Sequence, residues 1–302
     1  MSKVIMFSGQ GRPVIGMGKT IADTTQKTKD IWDCATDLSG IDIRKIAFKG
    51  PMPKLIETTN QQVIVTAINL SMFSMLEELK DDTIYLGHSV GEFSALYASG
   101  ALSLEDTIKA VVYRSQIMHK ISCECKAGMY VVKDLSKNEL ANILSCSEFS
   151  EKLDICCDNV NHQVIGGEIK DLKPFCNELR CQGYEVAKLD VSGAWHTKIM
   201  SRGCDELYDA LKEVTINKPK YSLVMNVSGK EENNPEQIKT LISKHLISTV
   251  EWKSSLETCR EKGGREFLEL GNKKTFNSTC ESCFSPFSDW NYKHFNDLKW
   301  EV

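Results

Sequence analysis

Short apolar runs and longer stretches of helical periodicity alternate along the first third of the chain. Residues 4–7 form an apolar run that ends in a Ser-Gly-Gln-Gly turn, and residues 83–86 form a second run after two aspartates. Both runs are typical of buried strands. Between them, residues 62–79 carry apolar side chains at helical spacing, which predicts a core helix. Two buried strands joined by a helix favour an α/β fold with a parallel sheet.

Two further helices are predicted directly after the second strand. Small and apolar residues follow Glu92 and continue to Gly100, where a helix should end. Ser103 and Asp106 then form a pattern that resembles a capping box. We expect the helix that begins there to run to about Ile121.

The pattern of hydrophobic and polar residues changes between residues 127 and 191. Strand-like runs alternate with helical stretches in the order βαββαβ, with strands at 129–132, 153–157, 164–165 and 186–191 and helices at 137–144 and 171–182. This order is typical of a small ferredoxin-like α+β subdomain. We therefore expect an α/β-hydrolase-like large subdomain over 1–126 and 192–302, with the small subdomain inserted over 127–191.

The large subdomain is predicted to resume after residue 191 and to end in an aromatic tail. The expected elements are helices at 197–214, 235–245 and 255–262 and strands at 221–226 and 267–270. The tail carries seven aromatic residues, Phe276, Phe284, Phe287, Trp290, Tyr292, Phe295 and Trp300. Because disordered segments are poor in aromatic residues, we expect the tail to pack on the body.

The composition is that of a soluble globular protein. The 302 residues are 41% hydrophobic and 26% charged, with a formal net charge of −4. A negative net charge argues against nucleic acid or an anionic membrane surface as the main partner. No apolar run reaches the length of a membrane span, and the first residues lack a signal-peptide pattern. The cytoplasm is the expected location.

The cysteines do not follow the spacing of a disulfide framework or of a complete zinc site. The chain has 12 cysteines, which we interpret as reduced thiols. Cys280 and Cys283 have the spacing of a zinc knuckle, but no second pair follows and only His294 is near. A structural zinc site needs four ligands, so no metal is expected.

The segment Gly87-His-Ser89-Val-Gly91 matches the G-x-S-x-G nucleophile elbow. Glycines allow a sharp strand-to-helix turn that exposes the serine hydroxyl, and the helix start offers free N–H groups to an oxyanion. The alternative is a capped turn with a surface serine. A nucleophilic serine needs a base, and His196 follows an extended segment that ends in a loop. The residues alone do not select His196 from the six histidines.

Three motifs in order give the chain a family resemblance. They are Phe7-Ser-Gly-Gln-Gly11, Asn60-Gln-Gln-Val63 and Gly87-His-Ser-Val-Gly-Glu92. With these motifs the chain resembles the malonyl-CoA:acyl-carrier-protein transacylases and the acyltransferase domains of polyketide synthases, as far as about Asn272. It departs from the family pattern at Ser8 in place of proline, at Arg12-Pro13 in place of Ser-Gln and at Gly271-Asn272-Lys273 in place of Gly-Pro-Gly.

The resemblance implies a role for each residue of a catalytic centre. Ser89 corresponds to the nucleophile and His196 to the base, and the backbone N–H groups of Gln10 and Val90 correspond to the oxyanion donors. Arg114 follows Ser89 by the family spacing of 25 residues, so the resemblance implies that it holds the free malonyl carboxylate with its bidentate fork. Without that spacing, a solvated helix arginine would be the preferred interpretation.

The resemblance also implies the substrate-binding set. A large aromatic residue before the histidine accompanies malonyl units in the family, so Trp195 favours malonyl over methylmalonyl, and Val90 agrees. Hydrophobic packing is the other explanation for Trp195. His88, Gln61 and Met118 complete the expected substrate-binding residues. His245 replaces a family glutamine whose backbone carbonyl orients the base, and any residue can supply that carbonyl.

The implied reaction is ping-pong acyl transfer from malonyl-CoA to the phosphopantetheine thiol of a holo acyl carrier protein. It requires no bound cofactor, and a dinucleotide motif fails because Val14 stands where a glycine is needed. The expected setting is fatty-acid synthesis or a polyketide synthase loaded in trans, with the departures favouring the second. The alternatives are an editing thioesterase, which Arg114 argues against, transfer of a different acyl group, and a non-catalytic scaffold.

Overall fold

A computed structural model describes residues 2–76 and 79–298. The strands are β1 (Ser2–Phe7), β2 (Ile84–Gly87), β3 (Ala127–Lys133), β4 (Leu153–Asp158), β5 (His162–Glu168), β6 (Val186–Lys188), β7 (Ser222–Leu223), β8 (Gly264–Leu270) and β9 (Asn291–His294). The helices are α1 (Gln26–Ser39), α2 (Ile43–Lys49), α3 (Met52–Ile56), α4 (Thr58–Ser74), α5 (Gly91–Ala98), α6 (Leu104–Ser122), α7 (Lys137–Ser145), α8 (Ile169–Cys181), α9 (Arg202–Ala210), α10 (Pro235–Lys244), α11 (Trp252–Glu261) and α12 (Asn277–Phe284). Short 3₁₀ turns lie at Lys198–Met200, Leu211–Glu213 and Phe295–Asp297.

The larger sheet is parallel, as the sequence predicts. Its strand order is β7-β2-β1-β8-β9, and every neighbouring pair runs parallel. Residues 4–7 of the central strand are fully buried, because parallel strands are covered by helices on both faces. Helix α5 packs on β1 and β2, and α4 packs on α1, α5 and α6. The α/β core is thus confirmed.

The smaller sheet is antiparallel and has its own core. Its order is β4-β5-β3-β6, so the first strand of the unit lies between the third and the fourth, as in ferredoxin-like folds. Helix α8 packs on β3 and β5, and buried residues such as Leu140, Leu172 and Phe175 fill this core. The fold class is therefore confirmed. The exact boundaries at 126/127 and 191/192 stay a prediction.

Four predicted elements differ from the structure, and one of them is the strand expected at 186–191, which is β6 and ends at Lys188. The core helix is α4, which begins at Thr58 and ends at Ser74, where the Met75 N–H turns back to the Met72 and Phe73 carbonyls. The helix expected at 197–214 is α9 flanked by two 3₁₀ turns. The strand expected at 221–226 pairs only over Ser222–Leu223, because the chain then leaves the sheet. Residues 77 and 78 of the predicted core helix lie outside the described residues.

The aromatic tail packs on the body through α12 and β9. Phe284 and Phe295 are buried, and the Phe284 ring lies 4.7 Å from that of Phe267 on β8. Strand β9 extends the larger sheet by pairing with β8. The expectation of a packed tail is confirmed for these residues, while Phe287 is 47% exposed. Trp300 lies outside the described residues.

Within residues 2–76 and 79–298, no helix combines the length and apolar character needed to cross a membrane.

Candidate active site

Ser89 lies on a sharp turn between β2 and α5. Its φ is +52°, a left-handed value that non-glycine residues rarely adopt. A Cβ added to Gly87 would lie 2.0 Å from the Gly91 carbonyl oxygen, and one added to Gly91 would lie 2.3 Å from the Phe7 carbonyl oxygen. Both positions therefore require glycine, Gly87 so that the turn can close on itself and Gly91 so that the turn can press against β1. The segment has the form of a nucleophile elbow.

Ser89 and His196 form a hydrogen-bonded pair. The Ser89 Oγ lies 2.9 Å from His196 Nε2, and His196 Nδ1 lies 2.7 Å from the His245 carbonyl oxygen. Because a carbonyl only accepts, Nδ1 carries the proton and Nε2 is free to accept from the serine hydroxyl. His196 also has a left-handed φ, +61°. The structure thus brings together the predicted nucleophile, the predicted base and the carbonyl expected to orient that base.

The surroundings of His196 keep its imidazole neutral. Burial, followed by the neighbouring His245 and the charge of Arg114, lowers the pKa of His196 well below 6.5. The neutral imidazole is the form that can accept a proton. At neutral pH, His196 is therefore ready to act as a general base.

Arg114 extends from α6 to the nucleophile. It is only 1% exposed, so it is not a solvated helix arginine. Its Nη2 donates to Ser89 Oγ over 3.2 Å, and its Nη1 donates to Gln62 Oε1 over 2.5 Å. Burial lowers the pKa of Arg114 to about 10, which still leaves the guanidinium charged at neutral pH. A buried cation thus lies beside the serine hydroxyl.

A cavity of about 850 Å³ opens between the two sheets above Ser89. Ser89, His196, Gln10, His88 and Trp195 line it from the large-sheet side, and Met129, Cys157 and Val164 line it from β3, β4 and β5. Such a volume suits a small-molecule site. The reacting group of a substrate would therefore sit between the two subdomains.

The match to a protein family follows from the sequence as a whole. The family model described as an acyl transferase domain matches residues 4–285. The chain belongs to the acyl transferase domain family. The resemblance inferred from the three motifs is therefore confirmed.

Similar proteins carry closely related names. The mitochondrial malonyl-CoA-acyl carrier protein transacylase of Homo sapiens is 29% identical over 300 residues, covering 93% of this chain and 76% of the relative. The polyketide biosynthesis malonyl CoA-acyl carrier protein transacylase PksC of Bacillus subtilis is 29% identical over 272 residues, covering 88% of this chain and 91% of the relative.

Solved structures share the fold of this acyltransferase. The acyl-carrier-protein-S-malonyltransferase from Bartonella henselae matches with a TM-score of 0.88 and 25% identity, over 98% of this chain and 95% of that one. A complex of a type II polyketide synthase acyl-carrier protein with its malonyl-transacylase, PlMCAT:AntF, matches with a TM-score of 0.89 and 22% identity, over 97% of this chain and 96% of that one. At that identity the second match shows the fold alone.

The oxyanion donors expected in the acyltransferase are two backbone N–H groups. Val90 directly follows the nucleophile and precedes α5, and Gln10 lines the cavity after β1. Among the hydrogen bonds of the described residues, neither backbone N–H has an acceptor. The side chain of Gln10 is held by Thr58, whose hydroxyl donates to Gln10 Oε1 over 3.0 Å. Both N–H groups are therefore without an internal acceptor among the residues that the structure describes; Gln10 lines the cavity, and Val90 is buried directly after Ser89 in the chain.

Gln62 contacts Arg114, whereas Gln61, which was predicted to bind the substrate, does not. Successive residues of a helix point about 100° apart, so only one of the two glutamines on α4 can face α6. Gln61 is buried, does not line the cavity, and has a side-chain nitrogen without a partner among the described residues. Met118 Sδ accepts from Gln62 Nε2 over 3.4 Å, so Met118 lies behind the arginine and not on the cavity wall.

His88 and Trp195 form part of the cavity wall, as expected for substrate-binding residues. His88 Nε2 donates to Asn159 Oδ1 over 2.9 Å, and burial lowers the pKa of His88 to about 4. His88 is therefore neutral at pH 7. Trp195 is 5% exposed, and its ring packs so closely on Gly193 that a Cβ there would lie 2.6 Å away. The tryptophan is thus a fixed wall.

Asn226 and Glu92 belong to the site although sequence reasoning gave them no role. Asn226 Oδ1 accepts from the Ser89 N–H over 2.8 Å, and its Nδ2 donates to the Gly87 carbonyl over 2.6 Å. Glu92 Oε1 accepts from the Asn226 N–H over 2.6 Å. Asn226 fell inside a predicted strand, so the sequence held no sign of it. Glu92 is the last residue of the Gly87–Glu92 motif, so its place in that motif is the sequence signal that marks it.

The thiols lie apart from this chemistry. All twelve cysteines, each in the described part of the chain, are unpaired. No cluster of three or more His, Cys, Asp or Glu residues suited to a metal ion occurs within the described ranges, including around Cys280 and Cys283. Burial raises the pKa of Cys157, which lines the cavity, so its thiol is a poor nucleophile.

Proposed function

We propose that this acyltransferase moves a malonyl group from malonyl-CoA to the phosphopantetheine thiol of an acyl carrier protein. The observation that carries the proposal is the buried guanidinium of Arg114, 3.2 Å from Ser89 Oγ. A serine–histidine pair alone would suit any ester or thioester. A charged fork beside the nucleophile suits an acyl group that ends in a free carboxylate.

The first half-reaction loads the serine. His196 Nε2 removes the proton from Ser89 Oγ as the oxygen attacks the thioester carbonyl carbon of malonyl-CoA. The N–H groups of Gln10 and Val90 stabilise the resulting oxyanion. The C–S bond then breaks, and His196 returns the proton to the departing CoA thiolate. The product is a malonyl-serine ester whose carboxylate is paired with Arg114.

The second half-reaction passes the malonyl group to a thiol. His196 removes the proton from the phosphopantetheine thiol, whose sulfur attacks the ester carbonyl, and the same two N–H groups hold the oxyanion. When the C–O bond breaks, Ser89 regains its proton from His196. The serine and the histidine are restored, and the sequence of steps requires no bound cofactor.

Trp195 and His88 are proposed to shape the acyl subsite. The tryptophan is fixed against Gly193, so it would oppose the extra methyl group of methylmalonyl. One methyl group is worth about 1–3 kcal/mol in such a pocket. His88, neutral and held by Asn159, offers a polar edge to the cavity without adding a charge that would compete with Arg114.

A carrier protein is the proposed acceptor, and the mouth of the cavity supports it. Arg12, Lys188 and Lys273 line the mouth and are exposed, with Asp190 as a single carboxylate among them. Acyl carrier proteins are acidic, and a positive rim would attract them and the phosphates of the prosthetic group. The two 29% identical relatives are both named as acyl carrier protein transacylases, which supports the same kind of partner. The cytoplasmic location predicted from the sequence is part of this proposal.

Intact-mass measurement tests the proposal directly. Purified protein incubated with malonyl-CoA should gain the mass of one malonyl group, and Ser89→Ala should gain none. The matched control is Ser145→Ala, which changes a serine at the surface end of α7 and should load normally. A wild type without the adduct would end the transferase proposal. An adduct that passes to water but not to a holo carrier protein would support the editing thioesterase instead.

A further inference from the structure

Glu92 is a fully buried carboxyl group beneath the nucleophile that the reaction steps do not use. It lies in the first turn of α5 and is 0% exposed. Its Oε1 accepts from the Asn226 N–H over 2.6 Å, and its Oε2 lies 2.9 Å from His245 Nδ1. A buried carboxyl group is costly to keep unless its contacts are needed. The two oxygens of Glu92 thus reach two different parts of the site.

The first contact leads to Ser89. Asn226 receives the Ser89 N–H on Oδ1 and donates from Nδ2 to the Gly87 carbonyl, so one amide spans the elbow on both sides of the serine. The left-handed φ of Ser89 is a strained conformation that persists only where the surroundings over-determine it. Glu92 holds the backbone of Asn226 at the other end. The serine arm therefore runs from Glu92 through Asn226 to the elbow.

The second contact leads to His196. His245 supplies the carbonyl oxygen that accepts from His196 Nδ1 over 2.7 Å, and its ring lies 4.6 Å from the His196 ring at an angle of 36°. The His245 side chain is fully buried. Its Nδ1 is close to Glu92 Oε2, although the two atoms are out of line for a linear hydrogen bond. The histidine arm runs from Glu92 through His245 to the base.

We propose that Glu92 is a positioning residue that fixes Ser89 and His196 relative to each other, acting on the serine through Asn226 and on the base through His245. Its role deepens the proposed acyl transfer and rests on it for the malonyl-loading assay. The contacts of Glu92 with Asn226 and His245 do not involve the acyl group. Glu92 should therefore govern how fast the serine reacts with any acylating or phosphonylating reagent.

Burial and the neighbouring charges set the protonation states of Glu92 and His245. Burial raises the pKa of Glu92 to about 7, against the lowering effects of the Asn226 N–H and of the Arg114 charge. Burial, Arg114 and His88 lower the pKa of His245 well below 6.5. His245 is therefore neutral, and Glu92 is divided between its two forms near pH 7. In both forms, Oε1 can accept from the Asn226 N–H, and Oε2 stays in contact with His245 Nδ1 without a linear hydrogen bond.

The test measures serine reactivity separately from malonyl transfer. A fluorophosphonate probe reports the alignment of Ser89 and His196, and malonyl-CoA loading reports the proposed function. Glu92→Ala should slow phosphonylation and lower kcat for loading by about tenfold to hundredfold, the scale of a misplacement near 1 Å. The KM for malonyl-CoA should stay within about threefold. Glu92→Gln keeps an acceptor for Asn226 and should restore most of the rate.

Further variants separate positioning from general loss of structure. Asn226→Ala should slow phosphonylation through the serine arm alone, and combining it with Glu92→Ala should cost less than the product of the two single losses, because the serine arm is common to both variants. Glu231→Ala, which removes an ion pair with Lys262 on the far side of α11, is the matched control and should react like the wild type. Circular dichroism checks that each variant is folded.

The outcomes are distinguishable. A folded Glu92→Ala variant that phosphonylates within twofold of the wild-type rate overturns the inference. If that variant does not fold, unchanged rates in both Asn226→Ala and His245→Ala overturn it. A wild type that reacts with the probe but does not load malonyl ends the proposed function and leaves this comparison valid.

Discussion

The Nη2 of Arg114 lies 3.2 Å from Ser89 Oγ, while His196 Nε2 lies 2.9 Å from the same oxygen. The nucleophile is thus held between a buried cation and a neutral imidazole. The imidazole can take the serine proton, and the cation can hold a carboxylate that enters with the substrate. Ser89 Oγ therefore contacts both the proposed base, His196, and the residue proposed to select the substrate, Arg114.

Replacing Arg114 should separate malonyl loading from acetyl loading. Arg114→Ala removes the partner of a buried carboxylate, which costs about 2–5 kcal/mol and corresponds to roughly 30-fold or more. Acetyl-CoA has no free carboxylate, so its loading should fall far less. Intact-mass time courses with both thioesters measure the ratio. Arg44→Ala, a surface arginine paired with Asp33, is the control, and equal losses for both thioesters would contradict the role.

Shortening Trp195 should relax the choice of acyl group. Trp195→Ala removes the wall fixed against Gly193, so kcat/KM for methylmalonyl-CoA relative to malonyl-CoA should rise by about 10- to 200-fold. Trp195→Phe keeps an aromatic wall and should change the ratio little. Competition between the two thioesters, read by mass, gives the ratio directly. An unchanged ratio in the alanine variant would assign Trp195 to packing alone.

Folding stability should fall on mild acidification. His88, His196 and His245 have lowered pKa values in the fold, so the unfolded chain binds more protons below about pH 6.5 and that stability is lost as the pH falls. The raised pKa of Glu92, about 7, acts in the opposite sense between about pH 4.5 and 7. Burial also lowers the pKa of His162, so four histidines oppose one carboxyl group and the Tm should decrease from pH 6.5 to 4.5. His245→Gln should flatten this dependence, and a Tm that rises on acidification would contradict it.

The elbow should not tolerate a methyl group at Gly91. A Cβ there would lie 2.3 Å from the Phe7 carbonyl oxygen and 2.7 Å from that of Ser8, so backbone of β1 would have to move. We expect Gly91→Ala to lose more than about 3 kcal/mol of the free energy of unfolding. Gly183→Ala, where the space is open and only the left-handed φ is unfavourable, should lose about 1–2 kcal/mol. Urea denaturation compares the two, and similar midpoints would argue against the clash.

The sequence predicted the parts of this site that lie in short, continuous motifs. The apolar run before Gly87 and the glycines around Ser89 point to an elbow without any comparison, since each local preference agrees with the others. Arg114 came from family spacing, because a helix arginine has no local mark of its role.

The contacts made across long separations were not visible in the sequence. Asn226 reaches the elbow only because the chain leaves the sheet after Leu223, and an apolar pattern does not tell where pairing stops. For a similar reason, the sequence did not show that Gln62 contacts Arg114 and that Gln61 does not. A shift of one residue turns a helix position by about 100°, and only the packing of α4 on α6 settles which side chain meets the arginine.

Ser89 and His196 are two of the five non-glycine residues in the described chain with positive φ. A backbone in that region costs about 1–3 kcal/mol at each position. A glycine at position 89 would relieve that cost and remove the nucleophile, whereas a glycine at position 196 would also empty the buried space that the imidazole fills. At Ser89, backbone strain is thus retained for the reaction, and sequences selected only for thermal stability would have little reason to keep a serine there.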